Sequence, residues 1–159
     1  MKIENGKYNE IYSKAVTSFS NAKLYKGKHK TFRTGGKRYE LIVNNFPKED
    51  GDSVNNVYIF RYDDSNREIN NEKDFEEYEA FDFDQIKRIE VTNDTNTTFS
   101  GNVLSVKELS IEFICEGGEC KQFVVAKDIN NIEKAQLAKI EFDEVVKYFK
   151  NKGFEIKAV

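Results

Sequence analysis

The sequence predicts a single α+β domain, an antiparallel β-sandwich or partly open barrel closed by a C-terminal amphipathic helix. Two observations carry this prediction. Several short runs in the middle of the chain are rich in aromatic and β-branched residues and are separated by turn-forming residues. Near the C-terminus, apolar residues instead recur at spacings of three and four. The 159 residues suit one domain, and the 38% of hydrophobic residues is enough for a core.

The middle of the chain, residues 25–128, is predicted to be mainly β. The strand-like runs are residues 38–44, 57–62, 86–92, 103–114 and 121–127. Asparagine, aspartate and proline fill the intervening segments and indicate polar turns or loops between the strands.

A helix is predicted over residues 129–152. It begins after capping candidates at 128–131 and ends at Gly153. Its apolar face consists of Ile132, Ala135, Ala138, Phe142, Val145, Val146 and Phe149. One alternative stays open, in which residues 140–142 form a strand and Asp143 caps a shorter helix. Residues 154–156 are predicted to add a short final strand.

The N-terminal residues 1–24 are predicted to form a helical extension. Between Tyr8 and Leu24, apolar residues recur at helical spacing. They are Ile11, Tyr12, Ala15, Val16 and Phe19.

Cys115 and Cys120 flank a hairpin signal, Glu-Gly-Gly-Glu. A two-residue turn would place the two thiols opposite each other. A three-residue turn would send them to opposite faces of the sheet. The hydrophobic pattern favours the longer turn, because it aligns Ile111 and Phe113 with Phe123 and Val125 on one face. We therefore expect two ordinary thiols in a reducing compartment.

Several classes of function are excluded at this stage. No run approaches the roughly 18 apolar residues of a membrane-spanning helix, and residues 1–6 lack the apolar stretch of a secretory signal, so we expect a cytoplasmic protein.

One histidine, His29, cannot build a two-histidine site. Asp82 and Asp84 are predicted to share one face of a strand, but such carboxylate pairs arise by chance in an acid-rich chain. We predict no catalytic residue, no metal and no cofactor.

The strongest functional signal is an uneven distribution of charge. Residues 1–39 hold ten Lys and Arg against two acids, whereas residues 40–159 hold 15 Lys and Arg against 26 acids. The basic side chains form a stripe, with aromatic residues between them. The basic stripe consists of Lys26, Lys28, Lys30, Arg33, Lys37 and Arg38. An acidic patch follows further along the chain and consists of Glu76, Glu77, Glu79, Asp82 and Asp84.

The residues of the basic stripe also carry a resemblance. The runs Leu24-Tyr25-Lys26-Gly27-Lys28, Lys30-Thr31-Phe32-Arg33 and Lys37-Arg38-Tyr39-Glu40-Leu41 resemble the opening hairpin of a pleckstrin-homology (PH) domain. The order of elements over residues 22–151 is similar as well. The resemblance implies a bent antiparallel sheet closed by a C-terminal helix, and basic residues around the first turn that contact inositol phosphates.

These observations predict a non-catalytic binding module that recognises another protein through its charged patches, because complementary charge steers encounter. Two alternatives stay open. One is a small acidic inhibitor or immunity protein that uses the acidic patch to block a basic, nucleic-acid-binding target. The other is a reader of anionic lipids or inositol phosphates that uses the basic stripe. The sequence pI of about 5.4 argues against nucleic acid as the partner.

Overall fold

Eight strands and a long helix make up the part of the chain that this computed structural model describes, which is residues 23–31, 35–44, 55–63 and 77–159. The strands are β1 (Lys23–Thr31), β2 (Gly35–Val43), β3 (Val57–Asp63), β4 (Glu77–Phe81), β5 (Ile86–Thr97), β6 (Val103–Cys115), β7 (Cys120–Ile129) and β8 (Ile156–Ala158). The helix, α1, spans Ile132–Asn151 and lies between β7 and β8.

The strands form one hydrogen-bonded sheet with two antiparallel parts. Its order is β4-β3-β2-β1-β7-β6-β5-β8. The first four strands form a meander, and so do β5, β6 and β7. A short parallel ladder between β1 and β7 joins the two parts at Lys28 and His29. Within the described residues β4 and β8 remain edges, so the barrel is not closed. The predicted α+β class, an antiparallel sandwich or partly open barrel with a C-terminal helix, is confirmed.

Aromatic side chains fill the space between the two parts of the sheet. Phe81 on β4 lies 5.4 Å from Phe113 on β6, measured between ring centroids. Phe149 of α1 lies 5.0 Å from Phe113 in an edge-to-face arrangement, which the ring quadrupoles favour. Tyr39 on β2 stacks on Phe123 on β7. The helix thus closes the core that the two parts of the sheet enclose.

Both ends of α1 follow from local sequence. The side chain of Asn131 accepts a hydrogen bond from the backbone N–H of Lys134 at 3.0 Å, which satisfies one of the free donors of the first turn. At the other end Gly153 adopts a φ of 92°, a left-handed conformation that glycine reaches without steric cost. Residues 140–142 continue the helix, so the alternative strand at that position is wrong. The final strand begins at Ile156, later than predicted.

The five predicted strands are present, with longer bounds in the structure. The hairpin between β6 and β7 has the longer turn, because Ile114 pairs with Cys120 and the N–H of Cys115 donates to the carbonyl of Glu119. Cys115 is buried and Cys120 exposed, on opposite faces as predicted. The β6–β7 ladder has a register shift next to Val125. This shift lets four consecutive residues of β7, Phe123 to Ala126, be buried.

Two predictions about element boundaries differ from the structure. Lys23 and Leu24 belong to β1, so the N-terminal helix predicted over 1–24 cannot reach its predicted end, and the rest of that prediction lies outside the described residues. Asp82 and Asp84 do not share a strand face. Asp82 precedes a 3-10 turn that spans Phe83–Gln85, and Asp84 lies inside this turn. The β4 strand just before it was not predicted.

Candidate functional site

The described residues of the basic stripe lie on the β1–β2 hairpin, and Arg33 lies outside the described residues. The strand register places Lys28 opposite Arg38 and His29 opposite Lys37. The parallel ladder then brings Lys127 of β7 beside His29. Lys28 and Arg38 carry like charges, and like charges that face each other across a ladder repel. The register therefore brings several basic residues to the junction between the two parts of the sheet.

The position of Lys26 differs from that of the other lysines of the stripe. It pairs with Glu40, which is buried with 5% of its surface exposed. Lys30 pairs with Gly36 and so has no charged residue opposite it on β2. Along β1, Lys26 therefore faces an acidic residue of β2 and Lys28 a basic one.

The acidic patch is divided among several structural roles, and Glu76 lies outside the described residues. Glu77 forms an ion pair with Arg61 of the neighbouring strand β3. Glu79 forms one with Lys121 of β7. Asp82 is 5% exposed, whereas Asp84 is exposed to solvent. The described acids of the patch therefore do not form one continuous acidic face.

A cleft of about 340 Å³ lies between the two parts of the sheet, where β2, β3 and β4 face β6 and β7. The pair between Lys121 and Glu79 spans it, with 2.8 Å between Nζ and Oε2. Lys121 also approaches Glu119 at 3.2 Å. The cleft is lined by Tyr39, Ile59, Arg61, Glu77, Tyr78, Glu79, Glu112, Cys120, Lys121 and Gln122. Lys121 and Glu79 pair across the cleft, and Arg61 and Glu77 pair along one wall.

The electrostatics of this pair follow from its hydrogen bonds. The bond to Glu79 raises the pKa of Lys121 above its ordinary value, against the opposing effect of burial. Burial alone would raise the pKa of Glu79, but the hydrogen bond and charge of Lys121 act the other way, and the pKa lies below its ordinary value. Both groups are thus held in their charged forms around neutral pH.

Cys120 lines the same cleft but is not an activated thiol. Burial, a hydrogen bond to Glu112 and the negative charges of Glu112 and Glu90 raise its pKa to about 11. Burial also raises the pKa of Cys115. Thiolates are the reactive form of cysteine, so neither residue has the environment of a catalytic nucleophile.

A buried polar corner lies between the ends of β2, β3 and β4. The backbone N–H of Asn56 donates to Oδ1 of Asp82 at 3.1 Å, and the N–H of Phe83 donates to the side chain of Asn56. The amide of Asn56 also donates to the carbonyl of Asn44. Asp82 is therefore a structural acceptor that holds β4 against the β2–β3 connection, rather than a surface charge.

Sequence reasoning missed Arg61 and Lys121 as partners of the acidic residues, and Glu112 as the partner of Cys120. Lys121 and Glu79 are 42 positions apart, and only the curvature of the sheet brings them together. Within residues 23–31, 35–44, 55–63 and 77–159, no three His, Cys, Asp or Glu side chains come close enough to hold a metal ion. No helix in these residues is long and apolar enough to cross a membrane. Comparisons with known protein families, curated proteins and solved structures found no match to this chain.

Proposed function

We propose that this chain is a non-catalytic binding module with a PH-like architecture, and that it recognises another protein through the basic stripe on the β1–β2 hairpin. The single observation that supports this proposal is the register of the hairpin, which brings Lys28, Lys30, Lys37 and Arg38 together on two neighbouring strands. An acidic partner surface would be steered toward these basic residues, because complementary charge favours encounter.

The architecture supports the same proposal. The hairpin lies where the two parts of the sheet meet, and its inner end is anchored by Tyr25, which is buried and packs against Tyr148 of α1. The paired acids at the cleft are less available, because Glu77 and Glu79 already have cationic partners.

The test is a tagged pull-down from nuclease-treated host lysate at low and moderate salt, with three proteins compared. They are the wild type, a stripe variant with Lys28→Gln, Lys30→Gln and Lys37→Gln, and a control with Lys147→Gln, Lys150→Gln and Lys157→Gln. The control lysines are exposed on α1 and β8, and both variants lose the same charge. We expect one stoichiometric protein with the wild type and the control, released as salt rises, and absent from the stripe variant. Equal capture by the stripe variant would contradict the proposal.

Two further arms separate the alternatives. If the chain is instead a reader of anionic lipids, the wild type should float with vesicles that contain phosphatidylserine, and the stripe variant should not. If it is an acidic inhibitor, capture of the partner should depend on Asp84 and Glu79 and persist in the stripe variant. If the chain captures no protein but floats with anionic vesicles, the protein-recognition proposal is wrong and the lipid proposal replaces it.

A further inference from the structure

The side of α1 that faces away from the core carries large apolar side chains. Ile132 is 50% exposed, Leu137 66% and Ile140 56%. They make up half of the exposed large hydrophobic residues in the part of the chain that the structure describes. Ile140 lies nine residues before Phe149, which is two and a half helical turns, so the two side chains point to opposite sides of the helix. Since Phe149 belongs to the core, Ile140 points away from it.

Charged residues flank Ile140 at equal distances along the helix. Glu133 lies seven residues before it and Lys147 seven residues after it. Seven residues are close to two turns, so these three side chains lie on the same side of α1, which we call the outward side. Glu133 and Lys147 are exposed, and neither has an ion-pair partner among the described residues. Both charges are therefore available to a second molecule.

The order of these charges makes the outward side complementary to an antiparallel copy of itself. When two copies of α1 lie antiparallel with Ile140 facing Ile140, each residue before Ile140 meets the residue the same number of positions after it. Glu133 then lies against Lys147 of the second copy, and the contact occurs twice. Lys134 lies within about one turn of Glu144 of the second copy. A parallel pair would instead place like charges against each other.

We propose that the outward side of α1 binds a second copy of this chain in a two-fold symmetric, antiparallel helix pair centred on Ile140. A two-fold interface has to be complementary to itself. An apolar centre with opposite charges at its two ends meets this requirement. Burial of Leu137 and Ile140 favours association, and the ion pairs select the antiparallel direction. One helix side per copy is a small interface, so we expect a dimer that dissociates on dilution.

The proposal goes beyond the proposed function and does not depend on it. The basic stripe belongs to the β1–β2 hairpin, whereas the helix pair uses residues of α1. Recognition of a partner by the basic stripe requires no second copy, and the helix pair forms from the purified chain without any other protein. Each proposal can therefore fail while the other holds.

The first test is sedimentation velocity of the purified full chain over a range of concentrations, combined with a charge swap. We expect an equilibrium between monomer and dimer in the wild type. Glu133→Lys and Lys147→Glu each place like charges against each other twice in the dimer, so each should weaken dimerisation at least about tenfold. The double variant with both substitutions restores opposite charges and should restore the dimer.

The matched controls are Glu155→Lys and Lys157→Glu, which make the same charge changes at exposed positions outside α1 and should dimerise like the wild type. Circular dichroism of every variant checks that the helix remains folded. A wild type that stays monomeric at the highest soluble concentration would overturn the proposal. A folded double variant that dimerises no better than the single variants would also overturn it.

The second test places one cysteine on the two-fold axis of the helix pair. In a Cys120→Ser background, Ile140→Cys brings two thiols together at the centre of the interface and should give a disulfide-linked dimer under mild oxidation. Asn151→Cys is the control, because Asn151 lies eleven residues from Ile140 and is about 33 Å from its own copy in the antiparallel pair. Equal cross-linking of the two variants, or cross-linking of Asn151→Cys alone, would contradict the antiparallel pair.

Discussion

Lys121 on β7 donates a hydrogen bond to Glu79 on β4 across the cleft between the two parts of the sheet. This hydrogen bond links β4, the outermost strand of the first part of the sheet, to β7, the strand of the second part that pairs with β1. Lys121 is 17% exposed and Glu79 41%, so water screens the pair. Exposed ion pairs contribute roughly 0.2–1 kcal/mol to stability. The contact therefore adds a modest stabilisation between β4 and β7.

We expect Lys121→Met to lower the free energy of unfolding by about 0.5–1 kcal/mol at pH 7 and low salt. Urea denaturation measures this difference. The folded pKa of Glu79 lies below its ordinary value of 4.5, so its stabilisation is present above pH 4.5 and is lost as pH falls through the folded pKa. The difference between wild type and variant should therefore shrink below pH 4.5.

At alkaline pH the stabilisation by Lys121 changes in the opposite direction with pH. The folded pKa of Lys121 lies above 10.5, so its stabilisation is fully present below pH 10.5 and is lost as pH rises through the folded pKa. Lys127→Met is the matched control, because Lys127 lies 3.8 Å from Glu108 within the second part of the sheet and does not span the cleft. A difference between Lys121→Met and wild type that persists unchanged at pH 3 would show that lost packing, rather than charge, is its cause.

The two aspartates around the 3-10 turn should behave differently. Asp82 accepts a buried hydrogen bond from the N–H of Asn56, so Asp82→Ala leaves that donor unsatisfied and should cost about 1–3 kcal/mol. Asp84 is exposed, and Asp84→Ala should change stability by less than about 0.5 kcal/mol. Urea denaturation of both variants compares them directly. Equal losses would mean that the polar corner does not hold β4 in place.

The sequence predicted those features that depend on local patterns. The end of α1 at Gly153 follows from the conformation that glycine alone adopts easily, and the opposite orientations of Cys115 and Cys120 follow from the two-residue period of strands. The β4 strand was not predicted, because four of its five residues are half-buried and so show no alternation of buried and exposed positions. The pairing of Lys121 with Glu79 escaped it because sheet curvature, set by the whole core, brings them together.

Removing side-chain packing between α1 and the sheet should lower the stability more than the substitutions above. Phe149 has no exposed surface and meets Phe113, Phe83 and Phe154 in edge-to-face contacts. Phe149→Ala removes these contacts and leaves a cavity, so it should cost about 3–5 kcal/mol. Leu137 on the same helix is 66% exposed, and Leu137→Ala should cost less than about 0.5 kcal/mol. Thermal unfolding followed by circular dichroism ranks the two, and a similar loss in both would contradict this packing of α1.

The last prediction concerns the reactivity of Cys120 toward a thiol reagent such as DTNB at pH 8. The pKa of about 11 leaves roughly one thiol in a thousand as thiolate at this pH, so modification should be slow although the residue is exposed. Glu112→Gln removes the carboxylate that accepts the thiol hydrogen bond and lowers the pKa toward its ordinary value. The rate should then rise several-fold.

Burial, the largest cause of the raised pKa, is unchanged in Glu112→Gln, so the rate should stay below that of a free cysteine. Glu116→Gln is the control, because Glu116 is an exposed acid in the hairpin turn and is not among the groups that raise the pKa of Cys120. Cys115 is buried and should react only when the protein unfolds. A wild-type thiol that reacts at the rate of free cysteine would mean that the cleft does not hold Glu112 against Cys120.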